Sequence, residues 1–243
     1  MRFITYSALV DSIGSILGYE KDQVPDVTWK LWRQLISDRM TFIWRQDMWP
    51  DISKIEERTV TTAASTGDFV PFTEESKWTI GEVAQIWDAD PINMASRNEL
   101  SFLLEEHGIT IPNGDTSVWV HYRRVKPELT GDFYDASKTY AAGEQVYDPT
   151  TGDFYDALLS NAPTHDFSDG TRWERIRIPL TFKQYIVRGV AADYYKHNGE
   201  FDKSRELEPY VEQALDFELM NLKRIQNQRK SYGMARTFVS NSY

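Results

Sequence analysis

The stretch from Val27 to Pro50 constrains the fold more than any other part of the chain. It carries four of the eight tryptophans (Trp29, Trp32, Trp44, Trp49) and ends in Trp49-Pro50. From Asp26 to Asp47 the apolar residues Trp29, Trp32, Leu35, Ile36, Met40, Ile43 and Trp44 recur at the spacing of one helix face. Asp26 stands where an N-cap would, and Pro50 cannot continue a helix because it lacks the N–H and clashes with the turn before it. A helix with this much aromatic area has to bury it against something large.

Its partners must come from a chain of 243 residues with 41% hydrophobic content, enough for one large domain or two to three small ones. The formal charge of −10 works against a grip on nucleic-acid phosphates or on an anionic membrane surface. Many soluble proteins are acidic in this way; the sharper reading is a surface past which DNA can slide without sticking. With no cysteine, disulfides, thiolate nucleophiles and sulfur-ligated metals are excluded. No apolar run approaches the roughly 18 residues of a membrane span, and the N-terminus lacks a basic-then-apolar leader pattern.

The periodicity changes three times. Residues 5 to about 57 read as helical, with a short helix around Tyr6–Leu17 stopped by Gly18, then the tryptophan helix. The run Thr59–Gly67 is small and polar and reads as a loop or the start of a sheet. From Phe69 to about Val125 the pattern is that of strands, clearest at Ile80–Trp87 and Val118–Tyr122, with part of Leu100–Leu104. Asn113-Gly114, between Ile111 and Val118, is a hairpin-turn dipeptide because both residues accept positive φ. Helical spacing returns after Pro179 with Phe182, Tyr185, Ile186, Val190 and Tyr194, stops at Asn198-Gly199, and resumes from Leu207 to Ile225. The expected architecture is α+β. N-terminal helices (1–68) and C-terminal helices (179–228) build a helical bundle, with a small β domain (69–128) and a β-rich insert (129–178) extruded between them.

The insert holds an exact internal repeat: Thr-Gly-Asp-Phe-Tyr-Asp-Ala stands at 130–136 and again at 151–157. Its carboxylates, with Asp148, could supply oxygens to a calcium ion, which takes roughly six to eight. Their spacing does not match an EF-hand loop, so solvated turn carboxylates are the expectation. The histidines (His107, His121, His165, His197) are scattered, with no metal-ligand pair. There is no G-x-S-x-G elbow, dinucleotide fingerprint or P-loop. No enzyme activity, cofactor or metal is expected.

Two resemblances give these segments a context. Tyr140, Gly143-Glu144, Val146, Tyr147, Tyr155, Ala157 and Trp173 are similar to the small carbohydrate-binding modules of chitinases. The resemblance implies sugar stacking on Tyr140, Tyr147, Tyr155 and Trp173, although Phe133 or Tyr134 stands near the place of the family's first tryptophan; the alternative is that these aromatics form the core of a mini-sheet that only decorates the particle. The larger resemblance is carried by Phe42–Asp51 with Glu56-Glu57-Arg58, by Glu82–Pro91 continuing to Gly108-Ile109 and Val118–Arg123, and by Tyr185–Tyr195 continuing through Gly199–Lys203 to Gln228. In this order they resemble a head-to-tail adaptor (neck or connector) of tailed bacteriophages. That implies a virion protein, assembled in the host cytoplasm, whose copies form a homo-oligomeric ring, commonly of about twelve. The ring would sit beneath the portal protein, pass double-stranded DNA without binding it specifically, and dock the tail or stopper. The segment 229–243 has no acidic residue and no clear period, and carries Arg229, Lys230 and Arg236 with the anchors Tyr232, Phe238 and Tyr243. It is expected to dock on the portal, folding as it binds. The alternative is a virion surface protein that binds host glycans through the 129–178 insert.

Overall fold

The computed structural model describes residues 2–239 except 21–23, 64–66, 75–76, 94–96, 113–115 and 160–166; of residues 62–63, 67 and 225–239 it describes the backbone. The chain divides into two compact units, one made of Met1–Asp47 with Pro127–Tyr243, the other of Met48–Lys126. The fold is α+β, with helices confined to the first unit.

After a short strand, β1 (Phe3–Ile4), helix α1 spans Tyr6–Leu17. Thr5 caps it by accepting the Ala8 amide on Oγ1 at 3.1 Å, and Gly18, at φ 79°, closes it in a left-handed conformation that other residues resist. Helix α2 spans Asp26–Trp44. Asp26 is its first helical residue, where a negative charge suits the helix dipole, and not its cap; Pro25, extended at φ −61° and ψ 148°, stands at the boundary without a side-chain cap bond. The helix ends before Trp49-Pro50, with the Arg45 amide turning back to Phe42 and Ile43. Proline disfavours helical geometry in the residue before it, so the chain leaves the helix ahead of Trp49.

The second unit is all strands: β2 (Ser53–Thr59), β3 (Thr61–Ala63), β4 (Gly67–Pro71), β5 (Ile80–Trp87), β6 (Leu103–Leu104), β7 (Gly108–Ile111) and β8 (Ser117–Arg124). The helical expectation for residues 53–57 is therefore corrected to a strand. Two antiparallel sheets, ordered β2-β8-β5 and β3-β4-β7-β6, share one core of Val70, Ile86, Ile109, Ile111, Val118 and Val120. The expected hairpin across Asn113-Gly114 does not form, because β7 and β8 lie in different sheets; the dipeptide itself lies outside the described residues. Both strands point their alternating apolar side chains into that common core, so the chain passes from one sheet to the other instead of doubling back.

Returning to the first unit, the chain forms β9 (Asp132–Phe133), β10 (Gln145–Asp148), β11 (Asp153–Ala157) and β12 (Trp173–Arg175), a sheet ordered β12-β11-β10-β9 with only β9 and β10 parallel. Next β13 (Ile178–Pro179) pairs with β1, and a 3-10 turn (Leu180–Phe182) leads into α3 (Lys183–His197). Pro179 thus ends a strand and does not open the helix. Helix α3 buries residues on most of its circumference, including Tyr185, Ile186, Val190, Ala191 and Ala192, because α1, α2 and α4 all pack on it. Helix α4 runs from Phe201 to Val239, 39 residues with Pro209 inside. The segment after Gln228 is helical in backbone as far as Val239, where the sequence shows no period of its own. It extends a helix already nucleated, which costs little per added residue.

Candidate functional site

The repeat and the tryptophan helix meet in the first unit. Neighbouring strand residues point to opposite faces of a sheet, so each Phe-Tyr pair of the repeat divides its rings between two surroundings. Phe133 and Phe154 stack on Trp29, with ring centroids 5.3 and 6.5 Å away and interplanar angles of 28° and 29°. Tyr147 leans on the same indole at 5.4 Å, and the Tyr6 ring meets it edge-on at 5.8 Å. The Arg33 guanidinium lies 5.2 Å from the Trp29 centroid and donates to the Gly131 carbonyl at 2.8 Å. Tyr134 and Tyr155 turn the other way, and both pack on Phe167 at 5.0 and 4.5 Å, beside Val146 and Trp173. The two sequence-identical segments thus place their phenylalanines against α2 and their tyrosines in the core of the small sheet.

This arrangement makes these aromatics the core of a small sheet. Tyr147, Tyr155 and Trp173 are buried, and Tyr140 is half-buried with its hydroxyl accepting the Asp135 amide at 2.8 Å. Rings enclosed by one another present no free face to a pyranose. Burial, with the nearby charges of Asp153, Asp11 and Asp148, pushes the Tyr147 hydroxyl up to about 12.

The carboxylates of the repeat have separate tasks. Asp153, buried, accepts the first amide of α1, Tyr6 N, at 3.1 Å and pairs with Arg175. Burial raises its pKa above the ordinary value, and the Tyr6 amide and Arg175 only partly offset this. Asp156 accepts from Gln145 at 2.9 Å, Asp135 caps the turn at Ser137 with its pKa lowered by those bonds, and Asp148 caps Thr150 and Thr151. Asp132, the counterpart of Asp153, is exposed. Among the described residues no group of three or more acids or histidines could hold a metal ion. His121 is stacked on Trp87 at 6.5 Å with its pKa lowered by burial, and His165 lies outside the described residues.

Clefts open among the described residues of the first unit. One, of about 630 Å³, lies along β9 and β10 and is edged by Asp132, Phe133, Lys138, Glu144, Gln145 and Asp156. Phe133 is 54% exposed there while stacking on Trp29. Another, of about 460 Å³, lies among α2, α3 and α4. Its floor includes Phe42 stacked on Tyr185 at 6.1 Å, and an ion pair crosses it: Arg39 donates through Nε to Asp193 at 2.7 Å. Gly189 makes this crossing possible, since a Cβ there would stand 2.8 Å from Arg39 Nε. The hydrogen bonds to Asp193 and Tyr185 raise the Arg39 pKa despite desolvation by burial. Neither cleft carries a sequence motif. The Arg39–Asp193 pair joins residues distant in the chain, and the small residues Gly189, Ala191 and Ala192 within an apolar stripe are the sequence signal for a close approach.

Of the expected docking residues, Tyr243 and the side chains of Arg229, Lys230, Tyr232, Arg236 and Phe238 lie outside what the structure describes; the backbone of 229–239 belongs to α4. Along the described part of α4 the inner face buries Ser204, Val211 and Leu222. The outer face leaves Tyr210, Phe217 and Met220 exposed by 54%, 61% and 68%. None of the described helices is long and apolar enough to cross a membrane. No family model matches the chain, and no curated protein matches it.

Proposed function

We propose that the chain is a structural virion protein, a head-to-tail adaptor whose copies form a ring beneath a portal protein, continue the DNA channel and dock a tail or stopper. The observation that carries this reading is the outer stripe of α4. Phe217 and Met220 are large apolar side chains 61% and 68% exposed, beside the 54% exposed Tyr210 under Arg188, on a described stretch of α4 whose inner face buries Ser204, Val211 and Leu222. A protomer with a second apolar face has area in reserve for copies of itself, and ring closure needs such faces. The net charge of −10 suits a channel through which DNA passes without adhering. The role requires no catalysis and no cofactor.

The test is the mass of the purified chain by light scattering, alone and mixed with a phage portal protein. A closed multiple of the protomer mass is expected, reduced to lower species by Phe217→Glu with Met220→Glu. A protomer mass under both conditions refutes the adaptor. A second reading, host-glycan binding by residues 129–178, is favoured by the polar cleft beside the exposed face of Phe133. It predicts saturable binding of a chitin or bacterial-polysaccharide oligomer that Phe133→Ala abolishes, and equal binding by that variant refutes it.

A further inference from the structure

We infer that the cleft among α2, α3 and α4 receives the basic, aromatic C-terminal segment 229–243 of a second copy of the chain, so that copies join head to tail. This rests on the ring reading and supplies its contact.

Four observations carry it. The cleft is apolar in its floor, where Phe42 (51% exposed), Tyr185 and Leu215 line it. Its internal charges cancel, because Arg39 is paired with Asp193. What remains at its edge is negative, from the exposed Asp38 and Glu212. The C-terminal stretch offers complementary chemistry. Residues 229–243 hold Arg229, Lys230 and Arg236, no acid, and the rings of Tyr232, Phe238 and Tyr243, while the chain as a whole is at −10. Opposite charges at the edge of an apolar seat steer and orient such a partner.

The occupant cannot be the same chain's own tail. Helix α4 passes the cleft at Val211–Leu215 and continues unbroken to Val239. At about 1.5 Å per residue, Arg229 lies roughly 21 Å and Val239 roughly 36 Å farther along that helix than Leu215. No proline interrupts this stretch, so the helix carries its tail away from its own cleft. A tail seated in the cleft therefore comes from another copy. The two surfaces differ, so the contact is heterologous and propagates until a ring closes.

A charge swap between two full-length variants tests this. The first carries Asp38→Lys and Glu212→Lys, both exposed, so the fold is spared. The second carries Arg229→Glu, Lys230→Glu and Arg236→Glu. Each alone should run at lower mass than the wild-type assembly at low salt, because cleft and tail now repel. Mixed in equal amounts they should recover the wild-type mass, since acidic tail meets basic cleft and basic tail meets acidic cleft. If each variant alone keeps the wild-type mass, the tail–cleft contact is wrong and the ring stands on other surfaces. A mixture that does not recover overturns it as well. If the tail variant keeps the ring but loses the portal, the tail serves the portal and the inference fails. If the wild-type chain never assembles, with portal or without, the ring reading itself falls.

Discussion

Replacing Trp29 with alanine probes the seam between α2 and the repeat. The side chain is half-buried, so of the ~250 Å² that a tryptophan can bury, roughly 100–150 Å² would return to water. At ~25 cal/mol per Å² this is about 3 kcal/mol. Stacking on Phe133 and Phe154 and edge contact with Tyr6 contribute about 1 kcal/mol more, while relaxation of the exposed neighbours returns part of the loss. A net destabilisation of about 2–4 kcal/mol is expected, and for a unit of this size it should lower Tm by roughly 5–15 °C. The assay is thermal unfolding followed by near-ultraviolet circular dichroism, with hydrogen exchange read at the amides of β10 and β11. Exchange there should quicken, because the hairpin rests on α2 through this ring. A double-mutant cycle with Phe133→Ala should return a coupling of about 1 kcal/mol, as expected for rings in contact. A loss below about 1 kcal/mol, with exchange in β10 and β11 unchanged, would show that the repeat holds together without the tryptophan helix.

Gly152→Ala should destabilise the first unit by about 1–3 kcal/mol in chemical denaturation, since Gly152 sits at φ 74° and a Cβ would stand 2.3 Å from Ser7 Oγ; unchanged stability refutes the fit. Asp153 has a folded pKa above its unfolded one, so the folded state holds that proton more tightly, and its contribution is complete below the ordinary carboxylate pKa and lost as pH rises through the raised value. Asp153→Asn should therefore flatten the fall in stability over that window in urea titrations at successive pH values, and an unaltered slope refutes the assignment. Arg58 is fully buried in the second unit, donates to Tyr122 and to the Trp78 carbonyl, and stands 2.9 Å from Glu56. Arg58→Met should cost about 3–5 kcal/mol by leaving partners uncompensated, and adding Glu56→Gln should recover part of it; no recovery in the melting temperature means the pair is not the cause.

What could be read from the residues alone depended on how local the cause was. Helix α1 was legible around Tyr6–Leu17 with its stop at Gly18, because its ends are fixed through bonds within a few positions, at Thr5 and Gly18. The strand Ser53–Thr59 was not. Its sequence is mostly charged, and the residue it buries is Arg58, which no pattern of apolar residues reveals. Asn113-Gly114 announces positive φ but says nothing about which strands pair, and β7 and β8 went to different sheets. In the repeat, adjacent Phe and Tyr place rings on both faces of a strand. What was missing was the partner of the phenylalanine face, supplied by Trp29 about a hundred residues away in sequence. The α2–α3–α4 cleft was equally out of reach, since Arg39, Asp193 and Glu212 come together only when three helices pack.

The first and last strands of the Met48–Lys126 unit are paired neighbours: Ser53 lies opposite Arg123, and the Arg124 amide donates to the Ile52 carbonyl at 3.0 Å. The chain therefore enters and leaves this unit side by side, as through a single doorway. Such a unit is a cassette. Its removal asks the remaining chain to bridge only a short gap, and the entropy of closing a loop grows slowly with its length, by about 0.6 kcal/mol per doubling. The helices before and after it can keep one design while the cassette is exchanged, lengthened or recoded.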